Sequence, residues 1–222
     1  MAPRALFCLA PLVLAASISV AGPAPPVIVI PFTGPRATPP PGGPIPAACT
    51  LVYSNYEGVS PGAYVAGAGK EVIDDLHLAA TGILCGFGFT YITGSGTPFD
   101  VITTFYANDG PFGGPGTVIG GPFLSSVPGG SGTLTSETPG AAVTIGPDLW
   151  MGVQFLAEGM GLFLNNPPSI GSSADLFYQR PEEAFMNFGG SPVANFMLRV
   201  EVDTPTPVRP ATWGSLKTIY RD

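Results

Sequence analysis

Apolar and polar residues alternate with a period of two along 194–203. Ala194, Phe196, Leu198, Val200 and Val202 fall on one side, and Asn195, Arg199, Glu201 and Asp203 on the other. That pattern predicts a strand with one buried and one wet face, as antiparallel sheets require. Residues 99–107 behave similarly, with Phe99, Val101 and Phe105 opposed to Asp100, Thr104 and Tyr106. Further strands are predicted at 50–53, 72–79, 83–93, 117–127, 132–137, 141–145, 149–157, 161–164 and 176–179. Turn residues separate them, at Asn108-Asp109-Gly110-Pro111, Pro128-Gly129-Gly130 and Asn165-Asn166-Pro167-Pro168. So many short strands in one domain, spanning 49–203, predict an all-β fold. The expected architecture is a two-layer antiparallel β-sandwich, jelly-roll-like, which hides both inner faces; a closed barrel is the alternative.

The flanks of that domain follow other rules. Arg4, an apolar run from Ala5 to Val20 and the small residues Ser19-Val20-Ala21 form the three parts of a cleavable secretory signal, residues 1–21. The run is short for a membrane span and is interrupted by Pro11, so the mature chain is expected to carry no membrane span. Residues 22–48 are proline-dense and read as an extended linker, as do 204–210. In the tail, 211–222, Thr212 is suited to cap a short amphipathic helix with Trp213, Leu216, Ile219 and Tyr220 on one face. Two turns do not hold alone in water, so the tail is expected to dock, on its own domain or on an outside receptor.

Composition narrows the chemistry. Glycine (31) and proline (27) are abundant, which disfavours long helices. The net charge of −7, with only Lys70 and Lys217 as lysines, leaves no basic face to displace counterions, so nucleic acid is not an expected partner. Of the three cysteines, Cys8 leaves with the signal. Cys49 and Cys85 remain, and in an oxidising compartment they are expected to pair as a disulfide; two buried free thiols are the alternative. In the strand register, Cys49, Leu51 and Tyr53 share one face, and Cys85, Phe87, Phe89 and Tyr91 share another, from strands free to be neighbours.

No catalytic constellation stands out. His77, the sole histidine, shares a strand face with Asp75, but no Gly-x-Ser-x-Gly elbow accompanies the pair. Ala68-Gly69-Lys70 lacks the glycine and the hydroxyl of a phosphate loop. Two cysteines and one histidine make no ordinary zinc site. No cofactor is therefore expected, with Ca2+ left open at Glu57, Asp74, Asp75, Asp109 and Asp175, which match no EF-hand spacing. Tyr53, Tyr56, Tyr64, Tyr106, Trp150 and Tyr178 are candidates for a sugar-stacking face, although Trp150 sits in a strand apolar on both sides and reads better as core.

Two stretches carry a resemblance. Asp148-Leu-Trp-Met-Gly-Val-Gln-Phe through Ser169-Ile-Gly-Ser-Ser-Ala-Asp175-Leu-Phe-Tyr, then Phe188-Gly-Gly and Ala194-Asn195-Phe196, resembles secreted β-sandwich proteins of environmental bacteria, of the choice-of-anchor type with a C-terminal sorting tail. Thr212-Trp213-Gly214-Ser215-Leu216-Lys217-Thr218-Ile219-Tyr220-Arg221 is similar to short tails on exported bacterial proteins, without the Pro-Glu-Pro tripeptide of the better-known sorting tails. The resemblance implies structure and address rather than active-site residues. The expectation is a non-catalytic structural or adhesive module, at the bacterial cell surface or secreted. Its expected partners are a polysaccharide or surface protein and the export or sorting machinery. A carbohydrate-binding module and a secreted hydrolase are the alternatives.

Overall fold

A computed structural model describes residues 49–57, 60–137 and 143–203. The signal, both linkers and the tail, with Trp213, Leu216, Ile219 and Tyr220, lie outside the described residues.

The strands are β1 (Cys49–Ser54), β2 (Gly62–Ala66), β3 (Glu71–His77), β4 (Gly82–Thr93), β5 (Phe99–Ala107), β6 (Val118–Val127), β7 (Gly132–Glu137), β8 (Thr144–Ile145), β9 (Asp148–Phe155), β10 (Met160–Leu164), β11 (Phe177–Arg180), β12 (Ala184–Met186) and β13 (Leu198–Asp203). They form two antiparallel sheets packed as a sandwich. The first runs β1-β13-β4-β10-β2, with β7 and β8 also on β4; the second runs β12-β11-β3-β9-β5-β6. Two strands escaped the sequence pattern. Gly62-Ala-Tyr-Val-Ala mixes small residues without a polar alternation, and β12 is three residues long, too brief to show a period.

Side chains from both sheets meet in one core. Leu84, Phe87, Phe89 and Tyr91 of β4 and Leu198, Val200 and Val202 of β13 share a cluster with Val101 and Phe105 of β5 and Leu149, Met151, Val153 and Phe155 of β9. Phe105 stacks edge-on to Phe87 at 5.6 Å. The alternate residues Trp150 and Gly152 of β9 point the other way and are buried too, as a strand apolar on both sides requires, whereas the wet face expected of β5 fails at Thr104 and Tyr106. Ile73, Tyr106 and Trp150 make a second buried cluster on the outside of the second sheet, with Leu176 and Tyr178 against it. Polar groups complete that outer layer. The Tyr106 hydroxyl donates to Glu71 Oε1 at 2.7 Å, and the Arg180 guanidinium lies 4.6 Å above the Tyr106 ring. Gly152 makes room, since a Cβ there would fall 2.2 Å from Glu71 Oε1. On β13, Asn195 just before the strand and Glu201 within it are likewise buried rather than wet.

Cys49 and Cys85 form a disulfide with Cα atoms 6.3 Å apart, within the range a bridge needs. Their strands are not neighbours, however: β13 lies between β1 and β4. Nor do the cysteines share the faces that simple alternation assigns them. A register shift between Leu51 and Tyr53 buries both Val52 and Tyr53. A second shift, opposite Glu201 and Val202, makes Cys85 the extra residue, so that Leu84 joins Phe87 and Phe89 in the core. A bulge reverses the parity of everything beyond it.

The bridge closes a loop of sequence separation 36. Replacing both cysteines by serine is expected to lower stability by roughly 2–4 kcal/mol, read by denaturant unfolding with and without reductant. Phe105→Ala, which opens the centre of the core, is expected to cost about 3–5 kcal/mol in the same assay. A loss below 1 kcal/mol for Phe105→Ala, in the range of an exposed site, contradicts this core assignment.

Candidate functional site

Antiparallel pairing brings the C-terminal ends of β3 and β5 beside the N-terminal start of β9. His77 is opposite Asp148, and Ala107 opposite Leu149. The loop leaving β5 folds back over this corner. The Asp109 carboxylate accepts hydrogen bonds from the Thr117 amide at 2.7 Å and the Thr117 hydroxyl at 2.8 Å, which hold its pKa below the ordinary value. The Trp150 indole N–H donates to Asn108 Oδ1 at 3.0 Å and to the Gly113 carbonyl at 3.2 Å. Pinned at both places, the loop makes a 3-10 turn, Pro111–Gly113, with Phe112 at its tip.

Phe112 is 98% exposed and sits at φ 57°, ψ 24°. A bulky residue rarely adopts that left-handed conformation, and such strain gathers at functional positions. Below the tip is a hollow of about 180 Å³ lined by Asp75, His77, Asn108, Asp148, Trp150 and Phe185, among others. Phe185 of β12 stands 6.0 Å from the Trp150 ring and edge-on to Tyr178 at 5.1 Å. Gly114 permits its approach, because a Cβ there would meet Phe185 Cζ at 2.9 Å. The hollow is smaller than the roughly 300–1,000 Å³ pockets that enclose drug-sized ligands, so it suits one ring or side group of a larger partner.

Asp75 and His77 do come together, with His77 Nε2 3.4 Å from Asp75 Oδ2. Asp148 was not foreseen as their partner: His77 Nδ1 lies 2.6 Å from Asp148 Oδ1. Both ring nitrogens thus face carboxylates. The nearby Ser173 hydroxyl instead contacts Asp74, Asp75 and Asn195.

The other acidic candidates divide. Asp74 Oδ2 accepts from the Phe196 amide at 3.0 Å, and both Asp75 oxygens accept from the Ala174 amide, at 3.1 and 3.0 Å. Burial pushes the Asp74 carboxyl well above its usual value, Asp75 adding to the effect, and burial also raises Asp75. Asp175 accepts from the Ala194 amide at 2.6 Å, and Glu57 offers its main-chain carbonyl to Asn165 Nδ2. Among the described residues no three His, Cys, Asp or Glu side chains gather as a metal-binding group.

The six candidate rings do not form one open face. Tyr53, Tyr106 and Trp150 are buried, the Tyr64 hydroxyl donates to Gln179 Oε1 at 2.6 Å, and the Tyr178 hydroxyl donates to Glu183 Oε2 at 2.6 Å. Tyr56 packs against Ala63, Phe163 and Met197. Sequence reasoning missed Phe112 and Phe185, the two exposed rings of the hollow. The available signal was a phenylalanine inside a Gly-Pro-Phe-Gly-Gly turn, where an apolar side chain has no core to enter.

No protein-family model matches the chain, and neither a curated protein nor a solved structure does so. Among the described residues no helix is long and apolar enough to cross a membrane.

The buried carboxyls predict an unusual pH response. Asp74, Asp75 and Glu71 all have raised folded-state values, with burial the largest cause. The folded chain keeps protons that the unfolded chain has released, so these groups stabilise most below the unfolded carboxylate range of about 4. That contribution is lost as pH rises through the raised folded values. Asp109 and Glu182, both lowered, act in the opposite sense and lose their contribution as pH falls. In chelator-containing buffer, thermal melts are expected to show Asp74→Asn flattening the decline towards neutral pH. A slope identical to the parent's removes Asp74 as its source.

Proposed function

We propose that this is an exported, non-catalytic β-sandwich protein of the bacterial cell surface or extracellular space, an adhesive module whose contact is the Phe112 turn and the hollow beneath it. The observation that carries the reading is Phe112 itself: an almost fully exposed ring, held in a strained conformation by a loop pinned through Asp109 and Trp150. A ring presented that way loses little freedom on binding, which favours contact with a partner. The hollow adds a second ring, Phe185, and the polar Asp148 and His77. An aromatic surface beside carboxylate and imidazole suits a saccharide, whose apolar ring face stacks while its hydroxyls hydrogen-bond. The partner class we favour is therefore a surface polysaccharide.

A hydrolase is less well supported. Both His77 nitrogens lie against carboxylates, whereas a serine mechanism needs a histidine nitrogen free to take the hydroxyl proton. The resemblance to sorted surface proteins, and the tail at 211–222 as a sorting or docking peptide, agree with surface display.

A glycan array probed with the full chain is expected to show a binder whose signal drops by about tenfold in Phe112→Ala, the loss of one stacked ring. The melting temperature should not move, because the ring is exposed. Binding that survives Phe112→Ala unchanged, or an array with no binder at all, overturns the proposal.

A further inference from the structure

Beside the end of β3, the chain preceding β11 makes its own contacts. The Ser172 amide donates to the His77 carbonyl at 3.0 Å, and the His77 amide donates to the Ser172 carbonyl at 2.8 Å. The next residue, Ser173, is set among oxygens. Its Oγ lies 3.3 Å from Asp74 Oδ1, 3.2 Å from Asp75 Oδ1, 3.2 Å from Asn195 Oδ1 and 3.3 Å from the Ala174 carbonyl. A hydroxyl has one proton and can satisfy only one of these four acceptors. Asn195 does not supply another from this side, since its Nδ2 donates to Asn166 Oδ1 at 2.9 Å and its oxygen faces Ser173.

The carboxyl groups are held by main-chain amides, Phe196 N–H on Asp74 and Ala174 N–H on Asp75, rather than by a basic side chain. Asp74 is 1% and Asp75 8% exposed, and no lysine or arginine among the described residues pairs with either. The His77 ring meets only the outer edge of the pair, with Nε2 3.4 Å from Asp75 Oδ2. A buried carboxylate pair needs either a proton or a cation to be tolerated.

A second, independent observation points the same way. Tyr53 is fully buried, and its Oη has no hydrogen-bond partner. After burial it feels the Asp74 charge, the Ser173 side chain as a weak hydrogen-bonding neighbour and the Asp75 charge, so the hydroxyl faces this same cluster.

Two carboxylate oxygens, an amide oxygen and a hydroxyl, irregularly arranged and without nitrogen or sulfur donors, are the ligand chemistry of a hard divalent cation. The irregular geometry and the carboxylates contributed from one strand suit Ca2+ better than Mg2+, which demands a near-ideal octahedron. We propose that Asp74, Asp75, Ser173 and Asn195 form a calcium site under the Tyr53 hydroxyl, tying β3 to the 172–175 segment and to the approach of β13. The site is separate in function from the adhesive contact above it, although Asp75 borders both.

The test is calorimetric titration of the chelator-treated full chain with CaCl2, alongside thermal melts in millimolar calcium, in chelator and in sodium chloride of matched ionic strength. Expected are one saturable equivalent and a melting temperature raised by calcium but not by sodium. Dissociation constants of extracellular calcium modules, about 10⁻⁴–10⁻³ M, set the concentration range. Asp74→Asn and Ser173→Ala are each expected to weaken binding by about tenfold or more, and Asp100→Asn, on the exposed side of β5, to bind as the parent does. Should Asp74→Asn fail to fold, Ser173→Ala, on an irregular segment, carries the comparison. No saturable binding to the parent chain, or binding unchanged in Ser173→Ala, overturns the proposal. Neither result bears on the glycan array.

Discussion

A strand has two edges, and the twelve-residue β4 uses both along its length. One edge carries β13 and then β10; the other carries β7 and β8. The same strand sends Leu84, Phe87, Phe89 and Tyr91 into the core, so the first sheet and the packing against the second meet in one element. Everything distal depends on that registration. The disulfide ties β1 to β4 around β13, and β13 in turn positions the Asn195 and Phe196 backbone that reaches Asp74. A bulge at Cys85 sits at the junction and resets which residues face inward.

The second sheet differs in having two buried faces for part of its area. Burying Ile73, Tyr106 and Trp150 outside requires a cover, and β12 with the Pro111–Gly113 turn provides it. Covering an antiparallel sheet locally leaves a rim where the cover ends, and the hollow lies at that rim. The buried Glu71 is a consequence of the same layer, satisfied by the Tyr106 hydroxyl and Arg180 instead of by water. The acidic pair lies one strand end away, where the segment before β11 leaves regular pairing and exposes side-chain oxygens to one another.

How much of this was legible depends on the range of the interaction involved. Alternation is a property of neighbouring residues, and it located eleven of the thirteen strands that the structure shows. It misplaced the start of β13, whose approach at 194–197 is buried and hydrogen-bonded singly to the Asn165 and Phe163 region rather than laddered. It also misjudged the wet faces of β5 and β13, because a strand cannot report what lies across it. The pairing of Asp75 with His77 was readable from their spacing; Asp148 was not, since it joins them from 71 residues away.

The sequence by itself determined the all-β class, the positions of most strands and of the turns between them, and the two cysteines available to pair, because each rests on local periodicity, backbone restriction or a count. Tertiary structure alone decided which strands are neighbours, where the bulges fall, which outer face is covered, and how Phe112 is aimed. It alone brought Ser173 to within hydrogen-bond range of Asp74, 99 residues earlier, and the Phe196 amide to the same carboxylate, 122 residues later. The physical reason is that strand order and sheet packing are settled by contacts across the whole domain, which leave no local trace in the chain.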